Sequence, residues 1–158
     1  MKNKELVNKL IEFKYRISFA ESCTGGLLAS SIVDIADASK VFNESFVTYA
    51  NEAKIKYLGV NESTISNYGV VSEQVVKEMV VGVCDATSSE CAIVTSGIAG
   101  PGGGTLQKPV GMVCFGFKVN DLIVTKTKYF GNIGRNEVRK ESVKYAINTM
   151  LDLLIESH

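Results

Sequence analysis

Ile17-Ser18-Phe19-Ala20-Glu21-Ser22-Cys23-Thr24-Gly25-Gly26 runs from four residues suited to a buried strand, through a small polar turn, into a stretch at 27–36 with the length and composition of a helix. A strand that enters a helix through Gly-Gly is a unit of an α/β fold, and the neighbouring segments extend it. Upstream, Leu6, Val7, Leu10 and Ile11 recur at helical spacing, so residues 3–15 read as an amphipathic helix. Downstream, Phe46-Val47-Thr48-Tyr49 reads as a second strand. Asn51 can then cap a short helix carrying Ala53, Lys54 and Leu58, which Gly59 stops. Ser72 is an N-cap for a helix over 73–87 whose apolar face is Val75, Val76, Met79, Val80 and Val83. Residues 91–95 form another buried strand, followed by one glycine-rich loop over 96–109. Val113, Phe115, Phe117 and Val119 alternate, and Asn120-Asp121 turns them into a hairpin with 122–130. Val143, Ile147, Met150, Leu151 and Leu154 then predict a closing helix over 136–156. Early alternation of strands and helices followed by a hairpin predicts α/β architecture. The expected form is a single-domain layered α/β/α sandwich with a mixed sheet, spanning residues 1–158.

Composition narrows the function. At 46% hydrophobic and 22% charged the chain is an ordinary globular one, and 158 residues suffice for a core that needs no staples. Seventeen basic residues balance seventeen acidic ones with no block of like charge, which argues against nucleic acid or an anionic membrane as partner. No secretory signal and no membrane-length apolar run is present, so the cytoplasm is the expected location. Cys23, Cys84, Cys91 and Cys114 fit neither zinc spacing nor a disulfide framework, and buried reduced thiols are expected. The Asn-x-Ser triplets at Asn43 and Asn61 would then carry no glycan.

The histidine count restricts the chemistry most. The one histidine, His158, is the last residue, where no catalytic geometry is held reliably. A histidine triad and a His-rich zinc site are excluded, and acid–base chemistry must use Lys, Tyr, Asp, Glu or water.

Four segments could carry chemistry. Ser22 sits between a strand and a helix entrance, where free N–H groups and the helix dipole favour an anion, either an oxyanion or a phosphate. It also reads as a plain serine N-cap before closely packed glycines. Val47-Thr48-Tyr49-Ala50-Asn51-Glu52-Ala53-Lys54 places a phenol at a strand end and an amine five residues later. Lysine can replace histidine as base if a desolvated pocket keeps it neutral; otherwise it is a solvated helix lysine like Lys56. The loop over 96–109 lacks Gly-Lys-[Ser/Thr] and G-x-G-x-x-G and precedes a strand, so it reads as backbone that approaches a ligand or as a flexible connection. Gly131-Asn132-Ile133-Gly134-Arg135 brings an arginine to a helix entrance, a clamp for phosphate or carboxylate, though Arg139 and Lys140 suggest a basic surface instead.

Taken in order, Ala20-Glu21-Ser22-Cys23-Thr24-Gly25-Gly26, Val47 to Lys54, Gly69-Val70-Val71-Ser72-Glu73 and Gly97-Ile98-Ala99-Gly100-Pro101-Gly102-Gly103 resemble the CinA C-terminal domain family from about residue 5 onward. Stand-alone members of that family are nicotinamide-nucleotide amidohydrolases. The resemblance implies hydrolysis of the carboxamide of nicotinamide mononucleotide to nicotinate mononucleotide and ammonia in pyridine-nucleotide salvage, without metal or cofactor. It implies Ser22 as nucleophile and Lys54 as base, with Tyr49 as the third catalytic residue, helping to orient the substrate or its phosphate. Ser96 and Arg135 would orient the substrate or its phosphate, Gly25 and Gly26 would shape the binding turn, and Thr24, Gly97 and Gly100 join them in substrate binding. The chain departs from the family pattern in two places: Ser96-Gly97 stands where relatives usually have Thr-Gly, and Asn132-Ile133-Gly134-Arg135 where they usually have Gly-Asp-Arg. A nucleotide-binding or interaction domain without turnover, or a serine hydrolase for another amide or ester, uses the same residues. A homodimer is the expected assembly.

Overall fold

The computed structural model describes all residues, 1–158. The elements, in chain order, are α1 (Lys2–Phe13), β1 (Ile17–Glu21), α2 (Leu27–Val33), a single 3-10 turn (Ala38–Lys40), β2 (Phe42–Val47), α3 (Asn51–Leu58), α4 (Glu62–Tyr68), α5 (Glu73–Thr87), β3 (Cys91–Gly97), β4 (Met112–Val119), β5 (Leu122–Tyr129) and α6 (Arg135–Glu156). The strands form one sheet in the order β2-β1-β3-β4-β5. β1 runs parallel to both of its neighbours, whereas β3, β4 and β5 are joined antiparallel, so the sheet is mixed. Both faces are covered, which makes the domain an α/β/α sandwich. One core joins α1, α2 and α6 to Ile17, Phe19, Ile93, Phe115 and Phe117. The other joins α3 and α5 to Ala20, Ala92, Val94 and Cys114 on the opposite face. No helix is long and apolar enough to cross a membrane.

The connections create the crevice. The chain leaves β1 for α2 on one face and leaves β2 for α3 on the other, and the carboxyl ends of two such adjacent parallel strands are where α/β sheets bind ligands. Register puts the strand ends level. Glu21 lies opposite Val47 of β2 and Thr95 of β3, so the residues that follow, Ser22, Thr48 and Ser96, stand side by side.

Several predicted boundaries move. β2 occupies Phe42–Val47 rather than 46–49, and Thr48 and Tyr49 lie beyond its end. It is a half-exposed edge strand with a register shift, which erases the alternation that marks a strand in sequence. α4 was not visible in the sequence because it buries no residue and so has no apolar stripe. α1 stops at Phe13, where Lys14 turns left-handed, and α2 stops at Val33. β3 runs on to Gly97, taking the first two residues of the predicted loop into the sheet. Asn51 is the first residue of α3 and not its cap. Gly59 closes α3 in the left-handed conformation, and Ser72 caps α5 by accepting from Val75 N–H, as the sequence predicts. All four cysteines are buried and free.

The cap and the α3–α5 contact give two tests. Ser72→Ala removes a side-chain cap, and a loss of about 1 kcal/mol in chemical denaturation is expected. Gly82, within α5, faces the end of α3, and a Cβ there would overlap the Leu58 carbonyl. The helical preference for alanine, at most about 1 kcal/mol, is smaller than the roughly 1–3 kcal/mol of forced separation. Gly82→Ala is therefore expected to lower the denaturation midpoint, although alanine is the better helix former.

Candidate active site

A cavity of about 260 Å3 opens at the carboxyl ends of β1, β2 and β3, and Ser22, Lys54, Tyr49, Ser96, Gly100 and Arg135 are in its wall. A larger depression of about 570 Å3 between α3, α4 and α5 has no comparable pairing of hydroxyl and amine, so chemistry rather than size singles out the first.

Lys54 is 0% exposed, exceptional for a lysine, and its Nζ lies 3.2 Å from Ser22 Oγ. It also donates to the carbonyl oxygens of Thr48 at 2.6 Å and Tyr49 at 3.3 Å. Local chain geometry explains this. Thr48 and Tyr49 follow the end of β2, and α3 starts at once, so the first turn of the helix returns Lys54 over the carbonyls just before it. Removal from water disfavours the ammonium, and burial lowers the Lys54 pKa from 10.5 to about 8. A neutral amine has two N–H groups and one lone pair. When the two N–H groups are given to the Thr48 and Tyr49 carbonyls, the lone pair is left for the Ser22 hydroxyl.

Ser22 is itself nearly buried, at 8% exposure. Its N–H donates to the Thr95 carbonyl at 3.2 Å, and its carbonyl accepts from Gly25 N–H at 3.1 Å, closing the turn after β1. The helix dipole, however, does not serve Ser22. The buried Glu21 carboxylate accepts from the N–H groups of Leu28 at 2.8 Å and Ala29 at 3.0 Å, so the protein's own anion occupies the α2 N-terminus. Nor is Ser22 an N-cap, since α2 starts at Leu27 and its N-cap is Gly26. In this turn the N–H groups of Thr24 and Gly26 donate to no oxygen of the protein, and that of Cys23 lies against its own thiol. Burial pushes the Cys23 thiol up to about 11, which keeps it uncharged beside the serine.

The other predicted residues divide. Arg135, the first residue of α6, donates to the Gly100 carbonyl at 2.8 Å and the Tyr49 hydroxyl at 3.0 Å, joining the loops after β3 and β2 at the rim. Tyr49 thus lends its carbonyl to Lys54 while its ring stays 61% exposed. Ser96 is in the wall, but its hydroxyl donates to the Val70 carbonyl at 2.8 Å and ties the segment before α5 to β3. Gly97 has no room for a side chain, because a Cβ would come within 2.6 Å of Val113. Gly100 has φ +89°, and the loop N–H groups of Ala99, Gly100, Gly102 and Gly103 have no protein acceptor. Thr24, Gly25 and Gly26 are not in the cavity wall. Thr24 is fully buried and bonds Thr95 at 2.9 Å, which makes it part of the support beneath the turn. Arg139, a surface residue by its sequence context, instead bonds the Cys23 and Thr24 carbonyls. No local spacing in the sequence reveals Glu21, Thr95 or Arg139 as partners, since each contact joins separate elements. The wall carries the Lys54 amine and the Arg135 guanidinium and no carboxylate.

The CinA C-terminal domain matches residues 1–154. The chain is 47% identical over 143 residues to the nicotinamide-nucleotide amidohydrolase PncC of Enterobacter agglomerans, which covers 89% of this chain and 86% of that protein. It is 44% identical to a putative competence-damage inducible protein of Alkaliphilus oremlandii over 92% of this chain, but spans only 35% of that longer relative. The fold superposes on a CinA superfamily protein from Klebsiella pneumoniae with TM-score 0.94 and 32% identity, covering 98% of this chain and 96% of that one. Competence/damage inducible protein CihA of Agrobacterium tumefaciens gives TM-score 0.91 at 37% identity, with 97% and 96% covered. The family match over nearly the whole chain, together with these relatives, means that the chain belongs to the CinA C-terminal domain family.

Proposed function

We propose that the protein is a nicotinamide-nucleotide amidohydrolase that hydrolyses the carboxamide of nicotinamide mononucleotide through an acyl-enzyme on Ser22. The observation that carries this reading is the buried contact between Lys54 Nζ and Ser22 Oγ at 3.2 Å. The 47% identity to a protein named for this reaction supports the choice of substrate. So does a wall that combines the Arg135 guanidinium with free loop N–H groups, a setting suited to a phosphate.

Neutral Lys54 takes the hydroxyl proton as Oγ attacks the carboxamide carbon, and the carbonyl π electrons move to oxygen. Collapse breaks the C–N bond, and the Lys54 ammonium gives its proton to the leaving nitrogen, releasing ammonia. Lys54 then takes a proton from water, whose oxygen attacks the Ser22 ester; the acid leaves and Oγ is reprotonated. The pyridinium ring withdraws electrons from the carbonyl, and its positive charge disfavours a charged Lys54, which helps the substrate meet a neutral base. Arg135, the Gly-rich loop and Tyr49 would hold the nucleotide portion at the rim. Lys54 serves as both base and acid in this scheme, so chelator-treated protein is expected to keep its turnover.

Two experiments test the reading. Ser22→Ala and Lys54→Met are each expected to lower ammonia release from the intact mononucleotide by at least about a thousandfold while the protein remains folded by circular dichroism. Full turnover in Ser22→Ala would refute the covalent step, and calorimetric binding by wild type without ammonia release would identify a binding domain instead. Free nicotinamide, which lacks the phosphate, is expected to react far more slowly than the mononucleotide. The second experiment is the pH profile. The base is active when neutral and its pKa is lowered to about 8, so kcat/KM should rise with pH and level off above that value. A profile flat from pH 6 to 9, by way of a rough window, would exclude Lys54 as the base.

A further inference from the structure

We propose that Arg139 is a positioning residue: from α6 it holds the peptide groups of the nucleophile turn, so that α6 fixes the geometry of Ser22 as well as the rim. This rests on the reading of Ser22 as nucleophile.

Arg139 Nε donates to the Cys23 carbonyl at 3.1 Å and Nη2 to the Thr24 carbonyl at 3.0 Å. Two N–H groups of one planar guanidinium, bonded to two successive carbonyls, set the tilt of both peptide planes. The trans peptide then directs the Thr24 and Gly25 N–H groups away from the arginine. Gly25 N–H closes onto the Ser22 carbonyl on that other side. The turn is therefore held from both sides, by its own hydrogen bond within and by Arg139 without. Nη1 lies 3.4 Å from Asn136 Oδ1, which braces the guanidinium against its own helix.

Gly25 is required by its backbone, whose φ of +57° strains any other residue; a Cβ there would only touch Arg139 Nη2, at 3.4 Å. Arg135 and Arg139 are four residues apart and share a helix face. Arg135 reaches the loops after β2 and β3, and Arg139 reaches the loop after β1. Thus the first two turns of α6, anchored in the core by fully buried Val138 and Ser142, span all three strand ends that build the site.

The test compares Arg139→Ala, Arg139→Lys and the neighbouring surface control Lys140→Ala in the full chain. Misplacing the nucleophile is expected to lower kcat roughly ten- to a hundredfold in Arg139→Ala. KM should stay near wild type, and labelling of Ser22 by a fluorophosphonate probe should slow in parallel. Arg139→Lys keeps the charge and stem but loses the two-pronged bond, so it should show a smaller loss. Millimolar guanidinium should restore part of the Arg139→Ala rate. Lys140→Ala should match wild type throughout. Amide exchange over residues 22–26 should quicken in both Arg139 variants. Wild-type kcat and labelling in folded Arg139→Lys and Arg139→Ala would overturn the proposal, as would unchanged exchange over 22–26. Should Arg139→Ala fail to fold, Arg139→Lys alone decides by the same readouts. A wild-type protein that neither labels nor releases ammonia would instead defeat the nucleophile reading, while the exchange result would still decide the clamp.

Discussion

A lysine amine with no exposure to water is the feature around which this structure is arranged. Lowering its pKa from 10.5 to about 8 corresponds to roughly 3 kcal/mol against the charged form. Because the folded pKa lies below the unfolded one, that burden is fully present below pH 8 and disappears as pH rises toward 10.5. The surrounding fold supplies the compensation. The apolar core on the α5 face of the sheet holds α3 in place, and the Thr48 and Tyr49 carbonyls satisfy the amine without an ion pair. A carboxylate in their position would favour the ammonium; carbonyl dipoles orient the amine at far smaller electrostatic strength.

The strand ends meet this requirement through topology. Parallel pairing of β1 with β2 and β3 brings three carboxyl-terminal loops to one edge, and the chain departs from β1 and β2 toward opposite faces, leaving the edge open. The helix end that could have attracted an anion there is neutralised by Glu21, which accepts two N–H groups at the start of α2. The unengaged N–H groups at the cavity are instead those of the Gly-rich loop, at Ala99, Gly100, Gly102 and Gly103. α6 completes the enclosure by tying the three loops with two arginines on one face.

Much of this was legible in the chain. Apolar periodicity located α1, α5 and α6, whose buried stripes are continuous, and alternation located β4 and β5 with their Asn120-Asp121 turn. Ser72 and Gly59 were readable because a cap acts through bonds to residues three or four positions away. Periodicity gave no warning of α4, which buries nothing, and misplaced the bulged edge strand β2. Among the candidate residues, Ser22, Lys54, Tyr49, Ser96, Gly97, Gly100 and Arg135 meet at one cavity, whereas Thr24, Gly25 and Gly26 stand behind it.

By itself the sequence determined the layered α/β class and, with its single terminal histidine, that acid–base chemistry must use another group, because hydrophobic periods and residue types are local properties. Only the tertiary structure decided that Lys54 is buried against Ser22, that Glu21 and not a ligand takes the α2 N-terminus, and that Arg139 bonds the turn after β1. Each of those depends on groups brought together from different elements by sheet register and helix packing, and burial, which sets the charge of an amine, is a property of the assembled core rather than of neighbouring letters.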